Sequence, residues 1–157
     1  MKPTKQIELA TTFEQRLFNR PRKNMTLPDI VIITLTIFAE SAGEPIVGKM
    51  GVGQLITTRA EQRNLTPAKV CLEYKQFSCW NRGYEAVCDD YRSGKFVENP
   101  IDAEAFDLCL QVARMVVAGE LRGSKWNHFY NPDKCTPSWA KDLQDTVQIG
   151  NHVFGRL

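Results

Sequence analysis

Two carboxylates four residues apart, Glu40 and Glu44, stand where a long apolar stretch gives way to a Gly-Glu-Pro turn. From Thr26 to Ala39 the chain reads Thr-Leu-Pro-Asp-Ile-Val-Ile-Ile-Thr-Leu-Thr-Ile-Phe-Ala, and Asp29 is its one ionisable side chain. A carboxylate carried into a cleft by such an element loses hydration. Its pKa rises, and it becomes a proton donor able to work near neutral pH. Glu40 is therefore the candidate general acid. The competing reading of Thr36–Pro45 is a pair of solvated carboxylates at a helix end.

Other chemistries find less support. The cysteines are Cys71, Cys79, Cys88, Cys109 and Cys135, an odd number without a Cys-x-x-Cys pair, and only His128 and His152 accompany them. That is a poor ligand set for zinc, so no metal is expected, and no cofactor. No cysteine has the sequence context of an activated nucleophile. Gly43 to Lys49 fits the phosphate-loop spacing, but Met50 replaces the metal-binding hydroxyl and Pro45 lacks a backbone N–H. Residues 46–70 suggest a helix-turn-helix, yet Pro67-Ala68-Lys69-Val70-Cys71-Leu72-Glu73 is too poor in base-reading side chains. A nucleic-acid partner is not expected.

The elements that must position Glu40 follow from pattern. Thr26-Leu27-Pro28-Asp29 fits a capping box opening a helix from about Pro28 to Ala42. The run Ile30-Val31-Ile32-Ile33 argues for a buried strand instead, and the length favours the helix. Glu40 then lies near a helix C-terminus, whose dipole repels an anion and adds to the upward pressure on its pKa. A second helix carries Ile46, Met50, Gly53 and Ile56 at helical spacing, its glycines implying close packing by another helix. Thr66-Pro67 caps a short helix through Cys71. Tyr74–Asn81 reads as an aromatic loop. Asn99-Pro100 opens a helix over roughly 101–119, with an apolar stripe of Phe106, Cys109, Leu110, Ala113 and Val117. Residues 147–154 alternate as one short strand. The expectation is one α+β domain, mostly α, with a small β portion.

A chain of 157 residues with 43% hydrophobic and 24% charged content suits one soluble core. No apolar run reaches the ~18 residues of a membrane span, and the N-terminus lacks the apolar core of a secretory signal. Synthesis in the cytosol, with reduced thiols and no stable membrane insertion, is the expectation. Residues 1–26 hold six basic and two acidic side chains, a net +4, while the remainder is net −2. Such an arm attracts an anionic surface such as a cell envelope. Alternatively it is a solvated leader helix with Ile7, Ala10, Phe13 and Leu17 on one face.

Five motifs occur in order: Phe38-Ala39-Glu40-Ser41-Ala42-Gly43-Glu44-Pro45, the Gly/Val-rich segment ending near Arg59, Phe77-Ser78-Cys79-Trp80-Asn81, His128-Phe129-Tyr130-Asn131-Pro132 with Trp139-Ala140, and Ile149-Gly150-Asn151-His152-Val153-Phe154. Together they resemble the SleB-type cell-wall hydrolase family of spore cortex-lytic enzymes and phage lysis proteins, over about residues 28–156. Thr58 and Ala42 depart from the Asn and Arg common in relatives. The resemblance implies a lysozyme-like catalytic domain over 27–157 that cleaves peptidoglycan between N-acetylmuramic acid and N-acetylglucosamine. It implies the lytic transglycosylase route, with Glu40 as acid and then base and a 1,6-anhydro product. Tyr130, Trp80 and Trp139 would stack on sugars beside Phe77, and Ser78 and Asn131 would bond hydroxyl or N-acetyl groups. For Trp139 core packing is an equal alternative. Glu44 is either a substrate contact or a structural residue. The absent signal sequence and the reduced cysteines then read as those of a phage endolysin, a monomer, that a holin releases to the periplasm. A hydrolytic muramidase and a non-enzymatic wall-binding module are the rival readings.

Overall fold

A computed structural model of the chain describes residues 26–157. The basic arm expected over 1–26 lies, but for Thr26, outside the described residues. Among the described residues five α-helices run in order: α1 Asp29–Ser41, α2 Ile46–Arg63, α3 Pro67–Leu72, α4 Tyr84–Arg92 and α5 Pro100–Val117. Short 3-10 turns lie at Ser78–Trp80, Lys95–Val97 and Ser138–Asp142. The strands are β1 His128–Tyr130, β2 Gln144–Ile149 and β3 His152–Arg156, in an antiparallel sheet of order β1-β3-β2. The expected mostly helical α+β domain is the fold observed.

α1 is the central helix. Ile32 to Ile37 are all buried, so no amphipathic period existed to separate helix from strand. Its buried hydroxyls cost little because each bonds back one turn: Thr34 Oγ1 to Ile30 O at 2.6 Å, Thr36 Oγ1 to Ile32 O at 2.8 Å and Ser41 Oγ to Ile37 O at 2.6 Å. The capping box does not form. Pro28 is the N-cap without a side-chain bond, and Leu27 N–H donates to the Tyr84 hydroxyl at 2.6 Å instead.

α2 packs against α5 through Gly53, where an added Cβ would stand 2.9 Å from Leu121 and Val112. The close approach predicted from its glycines is thus observed. Ile46, expected on the apolar face, is 38% exposed. The caps of α3 and α5 match expectation: Thr66 Oγ1 accepts from Lys69 N–H at 3.3 Å, and Asn99 Oδ1 from Asp102 N–H at 2.8 Å. The buried face of α5 comprises Ala105, Cys109, Val112, Ala113 and Val116; Val117 faces out at 58% exposure. Three features differ from the sequence reading. α4 was unforeseen, because it is charged, buries only Val87 and Cys88, and starts at Gly83 without a side-chain cap. β1 was also missed. The single strand expected over 147–154 is a hairpin, with Ile149 paired to His152 around the two-residue loop Gly150-Asn151.

Candidate active site

Glu40 lies half-buried on the last turn of α1. Burial pushes its carboxyl above the ordinary range. The charges of Arg59 and Lys134 and the backbone N–H of Ser78 oppose that rise without cancelling it. The residue therefore holds its proton more firmly than an exposed carboxyl while nearby positive charge still supports its anion, which suits a group that gives and later takes a proton. Its neighbour Ser41 is turned inward onto the α1 backbone.

The turn after Glu40 is held from two sides. Lys49, only 1% exposed, donates Nζ to Ser41 O at 2.9 Å, to Ala42 O at 3.0 Å and to Glu44 O. An ammonium at a helix C-terminus both satisfies orphan carbonyls and complements the dipole. On the other side the Glu44 carboxylate accepts from Asn151 N–H and from Asn151 Nδ2, each at 3.0 Å. Gly150, at φ 58°, makes room for this contact: a Cβ there would land on the Glu44 carboxylate. The Gly-Glu-Pro and Ile-Gly-Asn-His motifs are thus two halves of one clamp.

The loop before α4 closes the other flank. Trp80 is 9% exposed, donates Nε1–H to Thr36 Oγ1 at 2.9 Å, and stacks on Tyr84 at 5.9 Å. Phe77 is 2% exposed beneath the Arg59 guanidinium. Neither ring offers a face to a sugar. The stacking expected of Trp80 and the substrate contact expected of Phe77 are revised: both rings are buried and anchor the loop on α1. Ser78 is exposed and meets Glu40 through its backbone. Tyr130 is half-buried and meets Trp139 edge-on at 5.8 Å, with His128 against the same indole at 5.0 Å. Asn131 Oδ1 accepts from Asp133 N–H at 3.0 Å and builds the turn that carries Lys134.

The structure gives no cysteine near Glu40 the character of a nucleophile. The Cys79 thiol is pushed up to about 12, by burial first and by Glu40 second, so it is not a thiolate at neutral pH. Burial first, then Arg59 and Arg63, lowers the His128 pKa, and burial also lowers that of His152. Lys49, Arg59 and Lys134 were not singled out as site residues from the sequence. Lys49 drew notice only as the apparent phosphate-loop lysine, and Arg59 only as part of a motif. Nothing in the residues around Lys134 marked it.

A family model described as Cell Wall Hydrolase matches residues 43–155. The matched span opens at Gly43, so it includes Glu44 and the later motifs, while Glu40 lies three residues before it. The fold is similar to the catalytic domain of the germination-specific lytic transglycosylase SleB from Bacillus anthracis, with TM-score 0.57, 20% identity, and coverage of 87% of this chain and 100% of that one. It is also similar to the catalytic domain of the Bacillus cereus SleB protein, with TM-score 0.51, 20% identity, and coverage of 87% and 98%. None of the curated proteins matches the sequence.

Proposed function

The chain belongs to the cell wall hydrolase family, and from that premise we propose that it is a lytic transglycosylase of bacterial peptidoglycan with Glu40 as its acid and base. In the first step Glu40 protonates the oxygen between N-acetylmuramic acid and N-acetylglucosamine. In the second its carboxylate takes the proton of the muramic 6-hydroxyl as that oxygen closes on C1, leaving a 1,6-anhydro end. One carboxyl group is then sufficient. A hydrolytic route needs a second one about 5–9.5 Å away.

The observation that carries this reading is the contrast between the two carboxylates. Glu40 is desolvated and raised, whereas Glu44 is bound by both donors of Asn151 and is better suited to hold the turn than to act on water. Ser78, Tyr130 and Asn131 are the residues we assign to the substrate side, with residues 27–157 as the catalytic unit and 1–26 as a basic arm drawn to the envelope. The Bacillus anthracis SleB catalytic domain of like fold is described as that of a lytic transglycosylase. The five unpaired thiols favour synthesis in a reducing compartment. They are compatible with a phage endolysin released by a holin and acting as a monomer.

Replacing Glu40→Gln keeps shape and removes the titration. The variant is expected to lose at least ~10²-fold in the rate at which it clears suspensions of purified cell walls, with unchanged circular dichroism. A folded variant that retains more than about a tenth of wild-type clearing would sink the assignment, because a lost general acid costs more than that.

A further inference from the structure

We infer that Arg59 is a positioning residue for Glu40: anchored at three points, its guanidinium holds the Gln76–Ser78 loop and the lead-in to β1 beside the carboxylate and presents it a fixed positive charge. The inference rests on Glu40 being the proton-transfer group. The anchors are explicit. Arg59 Nε donates to Asn127 O at 2.8 Å, Nη1 donates to Gln76 Oε1 at 3.3 Å, and the guanidinium lies 5.3 Å from the centre of the Phe77 ring. Asn127 is itself fixed, donating its N–H to Gly155 O at 3.1 Å and accepting from Leu157 N–H at 2.9 Å. Arg59 thus ties α2 to the sheet and to the loop whose next residue, Ser78, brings its backbone against Glu40 and favours the anion.

Arg59 and Glu40 feel each other's charge, and each shifts the other in the expected sense. Among the described residues they form no salt bridge; the guanidinium directs its Nε–H and one Nη1–H to Asn127 and Gln76. A direct ion pair would hold Glu40 ionised; a charge at one remove limits its rise and still lets it protonate. Burial first, then Arg63, lowers Arg59 to about 10, with Glu40, Cys71 and Glu73 acting in opposition, so it stays cationic at neutral pH. The other charged or titratable groups facing Glu40 are Lys134, from the turn after β1, and Cys79, from the 3-10 turn; His128 faces Arg59. Lysine would keep the charge but not the planar fork that serves two acceptors.

The test reads the Glu40 carboxyl carbon by NMR across pH, without turnover, beside kcat and KM on soluble glycan strands. Arg59→Met is expected to move the Glu40 titration to higher pH and lower kcat about tenfold or more, because the loop is misplaced. Arg59→Lys should leave the titration near wild type and still lower kcat. Gln76→Leu should leave it unchanged and lower kcat by about threefold through a looser loop, with KM within about twofold. A folded Arg59→Met protein whose Glu40 titrates at the wild-type pH overturns the electrostatic half. Full kcat in both Arg59→Lys and Gln76→Leu overturns the clamp, including where Arg59→Met does not fold. The titration is independent of the product formed, so a wrong reaction assignment and a wrong role for Arg59 give different results.

Discussion

At the scale of single residues, two glutamates four positions apart are given opposite environments by a turn. Glu40 ends a buried helix and loses water; Glu44 meets Asn151 and accepts two hydrogen bonds from it. A carboxyl raised by burial destabilises the fold when it ionises. Below the ordinary carboxylate range both folded and unfolded states are protonated and there is no penalty. As pH rises through the raised native value, stability is lost. Glu40→Gln is therefore expected to melt higher than wild type at pH 7 and at the same temperature near pH 4. Scanning calorimetry at the two pH values checks this, and equal melting at both would remove the desolvation argument. Glu44→Gln is expected to keep anhydro product formation while losing about 1–2 kcal/mol of stability in urea unfolding, the cost of weakened charge-assisted bonds. Loss of catalysis without loss of stability would promote Glu44 to the chemistry.

At the scale of elements, the site depends on how α1 ends and how closely α2 approaches α5. Lys49 serves the first: its ammonium satisfies three carbonyls at the α1 terminus. Lys49→Met is expected to cost about 2–5 kcal/mol, since a thioether fills the space and leaves those carbonyls unpaired. Denaturant midpoints measure this, and a shift under about 0.5 kcal/mol, the usual range of surface substitutions, would show the lysine to be dispensable. Gly53 serves the second. Gly53→Val must displace Leu121, Val112 or Val116 and is expected to cost about 1–3 kcal/mol by overpacking. Elements marked by punctuation were readable in advance: the Thr66-Pro67 and Asn99-Pro100 starts, the buried α1 and the close-packed glycines. α4 was not, because a short charged helix that buries two side chains resembles a surface loop. Gly150-Asn151 was read as strand interior because apolar residues flank it on both sides at strand spacing. Trp80 and Phe77 look like sugar platforms in sequence, since an aromatic residue has the same letters whether it faces ligand or core. Glu40 was found because its surroundings lack charge; Arg59 and Lys134 reach it from 19 and 94 residues away in the chain, and no local pattern encodes that.

At the scale of the whole molecule, one small core supports a helical body and a three-stranded sheet, and Glu40 faces Arg59 of the helical body and Lys134 of the turn after β1. Among the described residues no helix is long and apolar enough to cross a membrane. The uneven charge, net +4 over residues 1–26 and net −2 over the rest, predicts that deleting residues 1–20 leaves activity on soluble glycan fragments intact and weakens lysis of cells. Salt at 1 M should mimic the deletion, because the screening length falls to about 3 Å; an insoluble truncation would place the segment in the core instead. The proposed chemistry turns on what one carboxyl group does. Mass spectrometry of muropeptides released from purified peptidoglycan decides it. The predicted result is 1,6-anhydro-muramic ends from wild type and from Glu44→Gln, and none from Glu40→Gln. Borohydride-reducible muramic ends as the sole product would contradict the account.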